Sequence, residues 1–140
     1  EAHVEAILAG DPVDRAHLEA VVEQKRLLRA GLVLPGSSDR PVAGGRPLDV
    51  IQDFVLRRTE TGEQYGPDAE RLTVAEALHA YTVGSAEATG WGGRKGRLVA
   101  GQLADFTVLS EDPRVVPSDQ IAAIDVVATA VGGEFVHGGL

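Results

Sequence analysis

The sequence has no cysteine, which excludes disulfides, thiolate metal sites and thiol nucleophiles and leaves the redox compartment unreadable. It has no methionine either, and a start at Glu1 reads as a cut, processed or incomplete end. No stretch approaches the roughly 20 apolar residues that a membrane-spanning helix needs. Glu1-Ala2-His3 has neither the basic nor the apolar character of a secretory leader, so cytoplasm is the expected compartment. Positive charge is short: 13 Lys and Arg against 21 Asp and Glu leave a net charge of −8. That balance argues against an electrostatic grip on nucleic acid or anionic lipid. The tightest basic group, Arg94-Lys95-Gly96-Arg97, is too short to form a patch.

What remains is ordinary globular material: 140 residues, 44% hydrophobic and 24% charged. Residues 14–30 carry a helical pattern, with Leu18, Val21, Val22 and Leu28 on one face and Gly31 placed for a left-handed cap. Leu32-Val33-Leu34 then reads as a short strand buried on both sides, as in a parallel sheet. It ends in the polar turn Ser37-Ser38-Asp39-Arg40-Pro41. A second helix is predicted from Pro47 to about Arg58, with Leu48, Ile51, Phe54 and Val55 inward. A polar loop follows, and a third helix opens at Thr73 with a Thr73–Glu76 capping box and runs towards Glu87.

Near residue 90 the composition changes. Gly90, Gly92, Gly93, Gly96 and Gly101 mark a loop, and the β signals Phe106–Leu109 and Val126–Val131 come after it. Gly132-Gly133 predicts a hairpin into Glu134-Phe135-Val136, and Pro117-Ser118 starts a short helix between strands. Two regimes therefore meet: residues 1–90, helix–strand–loop–helix–helix, and residues 91–140, mostly β.

Asp39 is the most informative acid. It lies just past the C-terminal end of the predicted buried strand, the edge where parallel α/β architectures gather catalytic groups. A carboxylate there can hold a divalent metal and take a proton from water. It can equally be a turn residue ahead of Pro41. The four histidines, His3, His17, His79 and His137, show no paired-ligand spacing, and a separate metal site built from them is not expected. Ser37, Ser38, Ser85 and Ser118 lack a nucleophile elbow, and the glycines of 90–101 fit neither phosphate-binding fingerprint. Trp91 reads as a small-domain core anchor rather than a surface recognition residue.

Three segments together resemble the amidohydrolase superfamily, its type 3 subgroup in particular. Arg26-Leu27-Leu28-Arg29-Ala30-Gly31 running into Gly36-Ser37-Ser38-Asp39-Arg40-Pro41-Val42 resembles the last barrel strand and its Ser-Asp-x-Pro-Val motif. Leu72–Leu78 through Tyr81-Thr82 is similar to the helix after the barrel. Lys95-Gly96-Arg97-Leu98-Val99-Ala100-Gly101-Gln102-Leu103-Ala104-Asp105-Phe106 resembles the Lys-Gly-x-Leu-x-x-Gly-x-x-Ala-Asp motif on the return into a small β domain. Val127–Gly133 resembles the closing hairpin.

The resemblance implies an α/β fold: the last βα units of a (β/α)8 barrel in residues 1–90 and strands of a small β-sandwich domain in 91–140. It implies one or two divalent metal ions, usually zinc, with Asp39 as metal ligand and as proton acceptor and donor. The substrate class it implies is a small amide or cyclic amide, cut at a non-peptide carbon–nitrogen bond. In the motif near residue 100, Gly96 and Gly101 are expected to permit tight turns, Ala104 to keep a packing point small, and Asp105 to hydrogen-bond turn backbone. The family's His-x-His pair and middle-strand ligands are not in this sequence, so the chain alone is expected to be inactive, and the alternative is a non-catalytic fragment or interaction module. Leu32, Leu34, Ile51 and Val55 would then lack neighbours, favouring self-association or a partner chain that completes the barrel.

Overall fold

A computed structural model describes residues 24–41, 44–59 and 61–139. The predicted helix over 14–30 is described from Gln24 onward; its earlier part, His3 and His17 lie outside the described residues. Helix α1 (Gln24–Arg29) ends as the sequence predicts, on Gly31 at φ 79°. The Gly31 N–H donates to Leu28 O at 2.9 Å and the Leu32 N–H to Leu27 O at 3.1 Å, the bond pair of a Schellman ending. The Glu70 carboxylate accepts from the Lys25 amide at 2.8 Å, and the Lys25 ammonium pairs with Glu76.

The predicted buried strand at Leu32–Leu34 is not formed. The segment is extended but unladdered; Leu32 is 56% and Val33 50% exposed. A strand buried on both sides needs a neighbour on each edge to pair its amides, and among the described residues none runs alongside. The segment leans instead on the third helix, where the Gly36 N–H donates to Ala80 O at 2.8 Å.

Helix α2 (Pro47–Leu56) has proline in its first turn, buries Leu48 and Ile51, and half-buries Phe54 and Val55. It stops two residues short of Arg58 because Arg57 turns left-handed, at φ 48° and ψ 56°. That turn brings the Arg57 side chain inward: Nε donates to Tyr65 O at 3.0 Å and the guanidinium lies 5.4 Å from the Tyr65 ring centre. Burial lowers the Arg57 pKa, against the opposing pull of Tyr65 and Glu70. The polar loop is thereby folded back onto the helix.

The third helix is continuous but not uniform. α3 (Val74–His79) opens with the capping box: the Thr73 hydroxyl accepts from the Glu76 amide, and the Glu76 carboxylate from the Thr73 amide at 2.7 Å. Ala80–Gly84 then widens into a π turn before α4 (Ser85–Ala88) resumes. Beyond the glycine loop come strands β1 (Phe106–Leu109), β2 (Val126–Val131) and β3 (Glu134–Gly138), an antiparallel sheet in the order β1-β2-β3. Gly132 and Gly133, at φ 61° and 88°, make the predicted two-residue hairpin. Phe106 and Phe135 both face Ala130 and meet edge-on at 6.0 Å.

The core joins the two halves of the sequence. Leu48, Ile51, Leu72 and Ala77 pack with Ile121 and Ile124, the latter two from a 3-10 helix (Ser118–Ala123) and the residue after it. The Ala122 amide donates to Gln52 Oε1 at 2.9 Å, and Arg46 Nη2 donates to Ala122 O at 3.0 Å. Ile51, expected to lack cover, is therefore only 3% exposed, and Leu34 and Val55 pack at the core margin. Trp91 corrects the expectation of a core anchor: it is 42% exposed, with Arg94 and Lys95 over its ring at 4.9 and 5.5 Å. The surrounding loop closes on its own glycines and polar groups, so the indole is left to the two cations. Among the described residues no helix is long and apolar enough to cross a membrane.

Candidate active site

Asp39 stands at the exposed tip of the turn that follows the extended segment. Its backbone is left-handed, at φ 51°, a conformation that Asp tolerates better than most side chains. The Asp39 N–H donates to Ser37 Oγ at 3.1 Å, and the next peptide, Arg40–Pro41, is cis. The Arg40 side chain folds over Gly45, where a Cβ would come within 2.9 Å of Arg40 Cδ. The carboxylate is therefore carried on a tightly turned loop and presented outward.

Three residues earlier the chain is anchored. Gly36 uses both backbone polar groups on the helix: its N–H donates to Ala80 O at 2.8 Å, and its carbonyl accepts from Ser85 Oγ at 3.0 Å. A side chain at Gly36 would overlap the Tyr81 ring, and one at Gly84 the Leu34 carbonyl oxygen. Sequence reasoning missed this contact. Its one legible trace was Gly84 inside a helix, where glycine costs about 1 kcal/mol against alanine and signals a close approach.

Metal binding asks for three or four converging ligands. Among the described residues no three His, Asp or Glu side chains converge. Asp39 fits as a single oxygen ligand, and the described residues do not by themselves make a metal centre. His79 is exposed on α3, and His137 is exposed on β3 with its ring Nε2 3.3 Å from Val126 O. Neither joins Asp39 in a ligand set.

Asp105 does what the sequence assigns it. Its Oδ1 accepts from the Gly132 amide at 2.8 Å and its Oδ2 pairs with Lys95 Nζ at 3.1 Å, and together these hold its pKa below the usual carboxylate range. Beside it the Gly133 amide donates to Ala104 O at 2.9 Å, so the end of the glycine loop is tied to the hairpin turn. Gly96 and Gly101 sit at φ 101° and 91°, in the turns expected of them. An open groove of about 540 Å³ lies between α3 and the sheet, with Leu78, Thr82, Leu98, Phe106 and Thr129 among its walls. Asp39 does not line it.

The Asp39 loop, the helix behind it and the tied glycine loop occur here in one chain and in the order of a known pattern. The family model described as the amidohydrolase family matches residues 4–137. This chain belongs to the amidohydrolase family. Over 130 residues it is 34% identical to YtcJ of Bacillus subtilis strain 168, a match covering 91% of this chain and 24% of that protein. Over 109 residues it is 33% identical to the N-substituted formamide deformylase of Arthrobacter pascens, covering 78% of this chain and 20% of that enzyme. Over 71 residues it is 39% identical to imidazolonepropionase of Vibrio campbellii, covering 50% of this chain and 17% of that protein. The chain thus spans a quarter or less of the length of these relatives. No solved structure matches it significantly.

Proposed function

We propose that this amidohydrolase chain is the C-terminal part of a hydrolase that cuts a non-peptide carbon–nitrogen bond in a small amide or cyclic amide. The observation that carries the reading is the family match running through residues 4–137, across the Asp39 loop and both flanking motifs. The substrate class draws on the name of one relative, a deformylase of N-substituted formamides. We assign residues 1–90 to the end of a (β/α)8 barrel and 91–140 to a small β-sandwich domain.

In this reading Asp39 accepts a proton from the attacking water at one carboxylate oxygen and returns it to the departing nitrogen. Its exposed, outward position leaves that oxygen free to meet a substrate. A divalent cation, zinc by family resemblance, would take Asp39 as one ligand among several, the others coming from strands outside this sequence. The second reading is a non-catalytic module; the lack of any three converging ligands among the described residues fits both readings.

The test is made in a hydrolase in which this segment is joined to the missing strands. Asp39→Asn keeps the shape and removes the base, and kcat should fall about a thousandfold, within the range seen when a general acid–base is removed. Turnover close to the parent's would defeat the assignment and leave the module reading standing.

A further inference from the structure

The helix behind Asp39 departs from α geometry at one place, and the departure faces the loop that carries the carboxylate. In the π turn Ala80–Gly84 the Ser85 N–H reaches back five residues to Ala80 O. The widened turn also offers that carbonyl outward, where the Gly36 N–H meets it at 2.8 Å. The Ser85 hydroxyl lies 3.0 Å from Gly36 O and 3.0 Å from Ala80 O, so its one proton is shared between the two carbonyls. Gly36 is held at both its polar groups, much as a strand residue is held by a neighbouring strand. We propose that Ser85 is a positioning residue that, through the π turn, fixes Gly36 and so sets where the Asp39 carboxylate projects.

The inference deepens the proposed function and rests on it for its catalytic consequence, although the clamp itself can be read without turnover. Gly36 and Gly84 permit the close approach that the clamp needs. From Gly36 to Asp39 the chain has only Ser37 and Ser38 between, and Ser37 Oγ already fixes the Asp39 amide at 3.1 Å. A shift at Gly36 therefore has little slack in which to dissipate. π turns inserted in α-helices recur at functional sites, where they free a carbonyl for such a contact.

The experiment compares the 140-residue chain with Ser85→Ala and Ser85→Thr by residue-resolved amide exchange and amide chemical shifts. Loss of one hydrogen bond should speed exchange at Gly36 by roughly fivefold or more and shift the Asp39 amide resonance. The Glu76 amide, in the capping box more than two turns before Ser85, should stay as it was, and Ser85→Thr, which keeps the hydroxyl, should restore Gly36 and Asp39. Unchanged Gly36 and Asp39 signals in Ser85→Ala would overturn the proposal. So would equal acceleration at Glu76, because Ser85 would then hold the helix rather than aim the loop. In the joined hydrolase the same variant should lower kcat with KM little changed, and Ser85→Thr should recover it. If Asp39→Asn leaves turnover intact, the catalytic reading fails while the exchange result still judges the clamp.

Discussion

Gly84 shows how a single residue is decided by its neighbours. Its backbone is helical, and helix propensity alone would make Gly84→Ala stabilising by about 0.5–1 kcal/mol. A methyl there overlaps the Leu34 carbonyl oxygen, a backbone atom that cannot rotate away. Overpacking of this kind costs about 1–3 kcal/mol, so the overlap wins and Gly84→Ala should destabilise the chain in urea unfolding. A rise in stability would mean that the 34–36 segment does not sit against the helix. Asp39 is the complementary case. Its φ of 51° is tolerable for Asp and would be costly for a β-branched residue, so the turn and the carboxylate select the same side chain.

At the scale of elements, the α3 start carries the clearest pH dependence. Burial works against the ionised Glu76, but the Lys25 ammonium and the Thr73 amide and hydroxyl outweigh it and lower its pKa from the ordinary 4.5. A carboxylate whose folded pKa is depressed contributes fully above its unfolded value, and the contribution fades as pH falls through the folded one. Helix stability should therefore drop on acidification below about pH 4.5, and Glu76→Gln should remove that part of the pH dependence in thermal melts. Thr73→Ala should cost about 1 kcal/mol at neutral pH. A pH profile unaltered in Glu76→Gln would refute the capping account. The hairpin is an element of the other kind, set by two left-handed glycines and held from outside by the Asp105–Gly132 bond.

At the scale of the whole molecule, the packing encloses some apolar side chains and leaves others uncovered. Leu48, Ile51, Ile121 and Ile124 are enclosed, whereas Leu98 at 72%, Val115 at 80% and Val136 at 64% exposure are not. Apolar surface left in this way favours association, opposed here only by a net charge of −8. The chain on its own is expected to self-associate with rising concentration, more so at high salt, where the repulsion is screened. Sedimentation that shows a single monomer species at all concentrations and salt levels would refute this.

The sequence by itself determined what is local. The Gly31 ending, the Thr73–Glu76 box and the Gly132-Gly133 hairpin each depend on residues whose preferred conformation or short-range bonding is written in their type, whereas the Asp105 bond to Gly132 spans 27 residues and was expected from the family pattern. The sequence also placed Asp39 in a turn within a recognisable family pattern. Tertiary structure alone decided the rest, because it depends on which distant surfaces meet. Leu32-Val33-Leu34 has the composition of a buried strand, but strand pairing needs edges that composition cannot supply, and the segment rests on a helix instead. The Arg57 reversal, the cover that Ile121 gives Ile51 and the π turn that binds Gly36 arise in the same way, from contacts between residues far apart in the chain whose pairing no local preference specifies.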